Sequence, residues 1–416
     1  MSKFQKVRGM HDIPLEQSSI WSEVIEKLVS TLKSYSYSEI RLPIIEQTEL
    51  FKRSVGDETD IVNKEMFTFN SKSNKSMTLR PEGTAGCMRA SIEQGLLDQG
   101  NQRLFYHGPM YRYERPQKGR NREFYQFSAE AYGNDTISIE LELIQIAERI
   151  ISFFKVPDVS LEINSLGSKE AQDKFSLELV KYLTPLIDKL DEDSQKRLIT
   201  NPLRILDSKN METQKILMSA PRISDFYSSE SAERYKNLKN SLDELGINYQ
   251  ENHNLVRGLD YYNDIVFEWK SEIIGSQSTF CAGGRYDSLS KKLGGRDMPA
   301  IGFSFGIDRL ILACQDVFSF SKSKKLTIII LEESFLNFGA NFSERLRDAL
   351  PALEIRFSGL DTNLKSQLKK AIKNNSDFAI IIGREEVESN SFSFKNLSRD
   401  QNQERLNEEE IISKLK

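Results

Sequence analysis

The order of patterned segments changes near residue 319, and that change constrains the fold more than any single motif. Before it, strand-like stretches follow one another closely. Residues 66–69 and 76–79 pair as a hairpin across 70–75, and further strands are expected at 103–107, 108–114 and 124–132. Apolar side chains at helical spacing mark amphipathic helices at 20–32 and 137–154. A short strand at 39–42 stops at Pro43, which cannot donate to a central ladder, and a helix at 84–95 is entered through Pro81-Glu82-Gly83. From about 168 to 250 the chain turns into charged helical stretches broken at Asn201-Pro202, a helical insertion. Strand patterning resumes at 256–269, followed by a glycine-rich turn at 282–285 and a strand through Gly306 into an apolar helix at 306–314. Local strands with helices packed on them predict an antiparallel α+β domain over 1–324. After the Ser/Lys-rich linker at 319–325, strands (326–331, 353–357, 378–383) alternate with helices (341–350, 363–373), which predicts a small, mostly parallel α/β domain over 325–416.

The formal net charge is −4, so any nucleic-acid contact must come from a local basic patch rather than a global field. One such patch exists. Arg112, Arg115, Lys118, Arg120 and Arg122 crowd a turn containing Pro116 and Gly119, an arrangement suited to a polyphosphate and to the end of a nucleic acid. The N-terminus lacks the apolar run of a signal peptide, and the longest apolar runs are strand-sized, so no membrane span is expected. Cys87, Cys281 and Cys314 are widely separated and have no histidine at ligand spacing. That pattern argues against disulfides and a zinc site and fits a reducing cytoplasm.

Four segments carry candidate chemistry. In a strand over 124–130, Phe124, Gln126, Ser128 and Glu130 share one face, while Tyr125, Phe127 and Ala129 share the apolar one. In Arg80-Pro81-Glu82-Gly83-Thr84, the glycine allows close approach of a ligand, and Glu82 and Thr84 could accept hydrogen bonds from an ammonium group; the same residues also suit a capped helix start. Residues 255–263 and 281–287 set Arg257 and Arg285 beside glycines, with Tyr261, Tyr262 and Tyr286, for contacts to something small and polar. In 300–310, Arg309 near a positive helix start is locally unfavourable unless an anion binds there.

Together these segments resemble the class II aminoacyl-tRNA synthetases, and specifically the histidyl-tRNA synthetase family. Residues 39–53 with Pro43 resemble motif 1, 111–130 motif 2 and 300–310 motif 3. Residues 255–263 and 281–287 resemble the two segments peculiar to the histidine enzymes. The resemblance runs from Val7 to about Asp316 and weakens after the linker, where Ser358-Gly359-Leu360-Asp361 replaces the family's glycine-rich stretch. It implies a six-stranded antiparallel catalytic sheet with a helical insertion, a C-terminal anticodon-binding domain, and a homodimer formed through motif 1.

The implied activity joins histidine to ATP as an adenylate and passes it to histidine tRNA, with Mg2+ accompanying ATP. The resemblance gives Arg112 and Arg257 to the α-phosphate, as the catalytic pair. It gives Phe124 and Arg309 to the adenine, with the γ-phosphate as a second possibility for Arg309. The substrate ammonium falls to Glu82, Thr84 and Gln126, beside Gly83, and the imidazole to Glu130 and one tyrosine. Tyr261 and Tyr262 face opposite ways if their strand is regular; the resemblance favours Tyr262, with Tyr286 closing the pocket. Gln117 and Arg122 match positions that meet the tRNA acceptor end, with Lys118 and Arg120 on phosphates. No metal site is assigned. Asp308 stands where the family mostly has Glu, keeping the charge but shortening the reach. Lys365, Lys369, Lys370 and Lys373 form a helical basic stripe in the last domain. The alternative is a non-catalytic relative that regulates the first enzyme of histidine biosynthesis. Such relatives tend to lose the Arg257 segment and the C-terminal domain, both of which this chain keeps.

Overall fold

Helix α1 (Leu15–Ser34) buries Val24, Leu28 and Leu32 completely, on the stripe that the helical periodicity marks. The computed structural model describes residues 4–56, 59–275, 278–320, 324–358, 363–397 and 403–416. The chain divides into two compact units, Met1–Phe320 and Ser321–Lys416.

In the first unit, β1 (Ser38–Glu39) is followed by a small antiparallel sheet of β2 (Ile45–Gln47), β3 (Phe67–Asn70) and β4 (Ser76–Leu79). Helices α2 (Thr48–Val55) and α3 (Thr84–Glu93) flank it. The large sheet adds β5 (Gln102–Tyr111), β6 (Glu123–Tyr132), β7 (Val159–Ser165), β8 (Gln250–Glu251), β9 (Asn263–Ser271), β10 (Thr279–Arg285) and β11 (Ala300–Gly306). Its order is β1-β5-β6-β11-β10-β9-β7-β8. The six strands from β5 to β7 are antiparallel to their neighbours within that run. The two-residue strands β1 and β8 join parallel at the two edges. The expected six-stranded antiparallel sheet is therefore the centre of an eight-stranded mixed one.

One face of this sheet is covered by α1, α4 (Ile137–Phe153) and other helices, over a core that includes Phe127, Ala129, Ile146, Ile150, Phe267 and Phe303. Between β7 and β8 the chain forms α5 (Lys169–Leu183), α6 (Glu192–Thr200), α7 (Met211–Leu217) and α8 (Ser229–Glu244). The first three close over a separate core around Phe175, Leu179, Leu198 and Leu217. Leu238 and Leu242 of α8 belong instead to the main core, so this helical segment is anchored in the sheet domain. Short α9 (Leu289–Lys292) precedes β11, and α10 (Ile307–Cys314) follows it.

Three local expectations are corrected, and one strand is added. The separate strands at 103–107 and 108–114 are the single strand β5, because Gly108 at φ 147° carries the extended chain through without a turn. The glycine-rich turn at 282–285 is the end of β10. A Cβ at Gly283 would lie 2.3 Å from the Gly302 carbonyl oxygen, so glycine there serves close strand packing. The strand expected from Val256 begins only at Asn263. The added strand is β7, in which Val159, Leu161 and Ile163 alternate with polar residues.

The second unit comprises β12 (Lys325–Ile330), α11 (Leu336–Ala349), β13 (Glu354–Ser358), α12 (Leu364–Lys373), β14 (Phe378–Ile382), α13 (Arg384–Ser389), β15 (Phe392–Asn396), β16 (Glu404–Leu406) and α14 (Glu408–Leu415). Its sheet order is β13-β12-β14-β15-β16. The first three strands are parallel, as strand–helix alternation predicts, and β15 and β16 extend them antiparallel. Gly359, Leu360 and Asp361 of the altered loop lie outside the described residues.

Candidate active site

The other face of the large sheet, part of which α3 and α9 cover, carries a cavity. Strand β6 supplies its floor with Phe124, Gln126 and Ser128, while Phe127 and Ala129 pack into the core behind. Strand pleating alone produces that division. Arg112, Arg257 and Arg309 line the same cavity, together with Glu82, Thr84, Tyr261 and Tyr262.

Each arginine is held by main-chain or carboxylate partners. Arg112 donates through Nε to the Pro81 carbonyl at 2.9 Å, and its guanidinium lies 5.2 Å from the Phe124 ring centre. Arg257 donates from Nη1 to Glu268 Oε2 at 3.0 Å and sits over the Tyr262 ring. Arg309 donates to the carbonyls of Gly119 (2.8 Å) and Thr279 (2.7 Å). These two carbonyls relieve the helix-start conflict that the sequence suggested an anion would resolve. Burial, with Arg120 and Arg112 nearby, still holds Arg309 below the ordinary arginine range. A cluster of partly desolvated cations of this kind favours an anionic ligand.

Glu82 accepts the backbone N–H groups of Thr84 (2.7 Å) and Ala85 (3.0 Å), so it caps α3 while one edge faces the cavity. Burial pushes its carboxyl upward in pKa. Gly83 is buried against the Tyr106 ring. Glu130 is 1% exposed and does not line the cavity; it stands behind it. Thr84 Oγ1 (2.9 Å) and Tyr106 Oη (2.8 Å) donate to its Oε1, and Tyr286 Oη donates to Oε2. Burial raises the Glu130 carboxyl to about 8, against the opposing pull of those three hydroxyls.

The opposite-face expectation for Tyr261 and Tyr262 does not hold. Residues 255–262 form no strand, both rings line the cavity, and their centres are 4.8 Å apart. Tyr261 reaches toward Glu82 Oε2 at 3.4 Å, and Tyr286 lies edge-on to Tyr261. Arg285 is also corrected. It contacts no small ligand site but is 1% exposed, donating to Glu140 Oε1 at 2.7 Å and Asp287 Oδ1 at 3.1 Å. In β10 its side chain faces the buried α4 carboxylate.

The basic loop folds back as a turn closed by paired backbone hydrogen bonds between Gln117 and Arg120. Arg120 pairs with Glu114 at the cavity rim. Arg122 stacks 3.7 Å from the Tyr113 ring centre and donates to the Glu114 carbonyl. Gln117 and Arg122 do not line the cavity. Sequence reasoning missed Tyr106, Glu114 and Glu268. Tyr106 was legible in principle, since it sits opposite Ser128 in a strand that had been divided at Gly108. Glu114 and Glu268 gave no local signal for the cavity: the loop turn brings Arg120 to Glu114, and the unladdered segment before β9 brings Arg257 to Glu268.

Residues 9–310 match the family described as Histidyl-tRNA synthetase. The chain belongs to that family. Residues 325–416 match the family described as Anticodon binding domain. The chain is 45% identical to a histidine–tRNA ligase of Francisella philomiragia, across 100% of this chain and 99% of that protein. It is 46% identical to the enzyme of the same name from Buchnera aphidicola, across 100% and 97%. Among solved structures, an apo histidyl-tRNA synthetase of S. aureus superposes with a TM-score of 0.80 at 33% identity, covering 99% of this chain and 100% of that one.

Proposed function

We propose that this chain is a histidine–tRNA ligase, which activates histidine with ATP and transfers it to the 3′ end of histidine tRNA. The observation that carries this reading is one cavity lined by Arg112, Arg257 and Arg309 and by Glu82, Thr84 and Gln126, with Glu130 directly behind Thr84. Cations suit a nucleotide's phosphates, and the acidic and amide groups suit an amino acid's ammonium.

In this mechanism Arg112 and Arg257 neutralise the α-phosphate as the histidine carboxylate attacks it in line, and pyrophosphate leaves. Catalysis is positioning plus stabilisation of charge that grows on phosphate oxygens. Phe124 stacks on adenine, and Arg309 bounds it or reaches the γ-phosphate. Glu82, Thr84 and Gln126 take the ammonium, beside Gly83. A neutral imidazole offers one donor and one acceptor. Glu130 accepts its N–H once Tyr286 yields that oxygen, and Tyr262 serves the other nitrogen with Tyr261 alongside.

Mg2+ enters as part of MgATP. A metal bound with ATP would neutralise phosphate charge in a cavity whose acids are Glu82, which accepts two α3 N–H groups, Glu114, paired with Arg120, and Asp308, which accepts the Tyr125 N–H at 2.8 Å. Gln117 and Arg122 meet the acceptor end, with Lys118 and Arg120 on its phosphates, and residues 325–416 form the anticodon-binding domain after a catalytic domain over 1–324. A homodimer through residues 39–53 fits the exposure of Ile44 and Ile45. A cytoplasmic location fits the three buried free cysteines and the absence, among the described residues, of any helix long and apolar enough to cross a membrane. The test is ATP–pyrophosphate exchange with each of the twenty amino acids. Exchange dependent on histidine alone is expected, and exchange with none, or with a different amino acid, refutes the reading.

A further inference from the structure

Residues 255–262 hold Arg257, yet they belong to no strand and lack the ladder that fixes β6 or β11. The Arg257 side chain is tied to Glu268 of β9. Its main chain is tied to the helical segment instead. Arg204, in the 3-10 turn Pro202–Asp207 that follows α6, donates from Nη1 to the Arg257 carbonyl at 3.2 Å. The same nitrogen lies 3.1 Å from where a Cβ on Gly258 would stand, so the absence of a side chain at 258 lets the guanidinium approach.

Arg204 is itself clamped. Its carbonyl accepts Arg197 Nη1 at 3.3 Å, and Arg197 pairs with Asp60 at 3.0 Å. Two residues beyond Gly258, Asp260 accepts Asn201 Nδ2 at 2.9 Å and donates its own N–H to the Val55 carbonyl at 3.0 Å. Arg204 and Arg257 also line a common groove that shares Arg257, Leu259 and Tyr262 with the cavity. Burial and the like charge of Arg197 hold the Arg204 guanidinium below the ordinary arginine range. The half-buried Arg204 guanidinium, with the carboxylates of Asp207, Asp260 and Asp60 acting on it, directs its hydrogen bond to the Arg257 carbonyl, in a segment of the cavity that has no strand ladder.

We infer that Arg204 is a positioning residue for the proposed reaction: it fixes the main chain of Arg257 and Gly258 from the helical segment, so that Arg257 stands where the phosphate will be. This rests on the reading of Arg257 given above. Displacement of a charge-stabilising group by about 1 Å is worth up to about 100-fold in rate. Arg204→Met should therefore lower kcat for histidine-dependent pyrophosphate exchange by about 10- to 100-fold, with KM for histidine within about threefold of wild type. Arg204→Lys, which still offers a donor, should recover part of the loss. Gly258→Ala keeps Arg204 but pushes it away, and should fall in the same direction without further loss in the double variant.

Amide hydrogen exchange across 255–262 in the unliganded protein supplies a readout independent of substrate. It should speed up in Arg204→Met and in Gly258→Ala while exchange in β6 and β11 is unchanged. Wild-type kcat in both folded variants, an effect on KM alone, or unaltered exchange at 256–259 overturns the inference. If wild-type protein shows no histidine-dependent activity, the functional reading fails instead, and the hydrogen-exchange comparison still decides whether Arg204 holds this segment.

Discussion

Glu130→Gln removes a titrating proton from the core while keeping nearly the same shape, so its effect should depend on pH in a way that few other substitutions do. The carboxyl is buried, and burial raises it from the usual 4.5 to about 8 even though Thr84, Tyr106 and Tyr286 donate to it. Unfolded, the same group titrates near about 4.3. Between these values the folded chain binds more protons than the unfolded one, so stability falls as pH rises from about 4 to about 8 and levels off above. At 1.36 kcal/mol per tenfold change, the full cost of ionising Glu130 in place is up to about 5 kcal/mol. The amide pays none of that cost. Thermal midpoints of both proteins from about pH 5 to 9 should therefore converge on the acid side and separate on the alkaline side, with the variant the more stable. Infrared difference spectra should show a protonated carboxyl band that titrates near pH 8 in the wild type and is missing from the variant. Parallel midpoint curves, or no such band, would refute the reasoning. The same variant should bind histidine more weakly and discriminate less against other amino acids, and unchanged affinity and discrimination would remove Glu130 from the imidazole site.

Arg257→Ala removes a charge expected to stabilise the transition state by about 3–4 kcal/mol, so histidine adenylation should slow by ~10²–10³-fold with little change in histidine affinity. Pyrophosphate exchange within about threefold of wild type would exclude that role. Arg285→Met breaks a fully buried pair and leaves Glu140, on α4, with Arg234 alone at 3.1 Å. It should destabilise the first unit by about 3–5 kcal/mol, read as a lowered thermal midpoint, and an unchanged midpoint would show that the pair is dispensable. Neutralising Lys118 and Arg120 together should flatten the salt dependence of tRNA binding by a slope of about 1–2. An unaltered salt slope would remove both from the tRNA interface.

Much of the site was legible because period-two alternation needs only neighbouring residues. Phe124, Gln126 and Ser128 share a face whatever the rest of the chain does, and their counterparts Phe127 and Ala129 enter the core. The strand–helix alternation after the linker likewise forecast three parallel strands. Where reading failed, the governing contact was remote. Gly283 looked like a turn because sequence does not show the Gly302 carbonyl pressing against it. Arg285 looked like a ligand contact because its partner Glu140 is 145 residues away. Tyr261 and Tyr262 seemed to face apart only on the assumption of a regular strand.

By itself the sequence determined the class of each domain, the face that each strand offers and the residue types available for chemistry, because propensity, pleating and charge are local properties. Tertiary structure alone decided which of those groups are desolvated and what each one touches. It set Glu130 behind three hydroxyl donors and a nearly dry wall, and it tied the unladdered Arg257 segment to Arg204. The physical reason is that burial, and the shift in proton affinity that follows from it, depends on everything packed around a group and on nothing in the residues beside it.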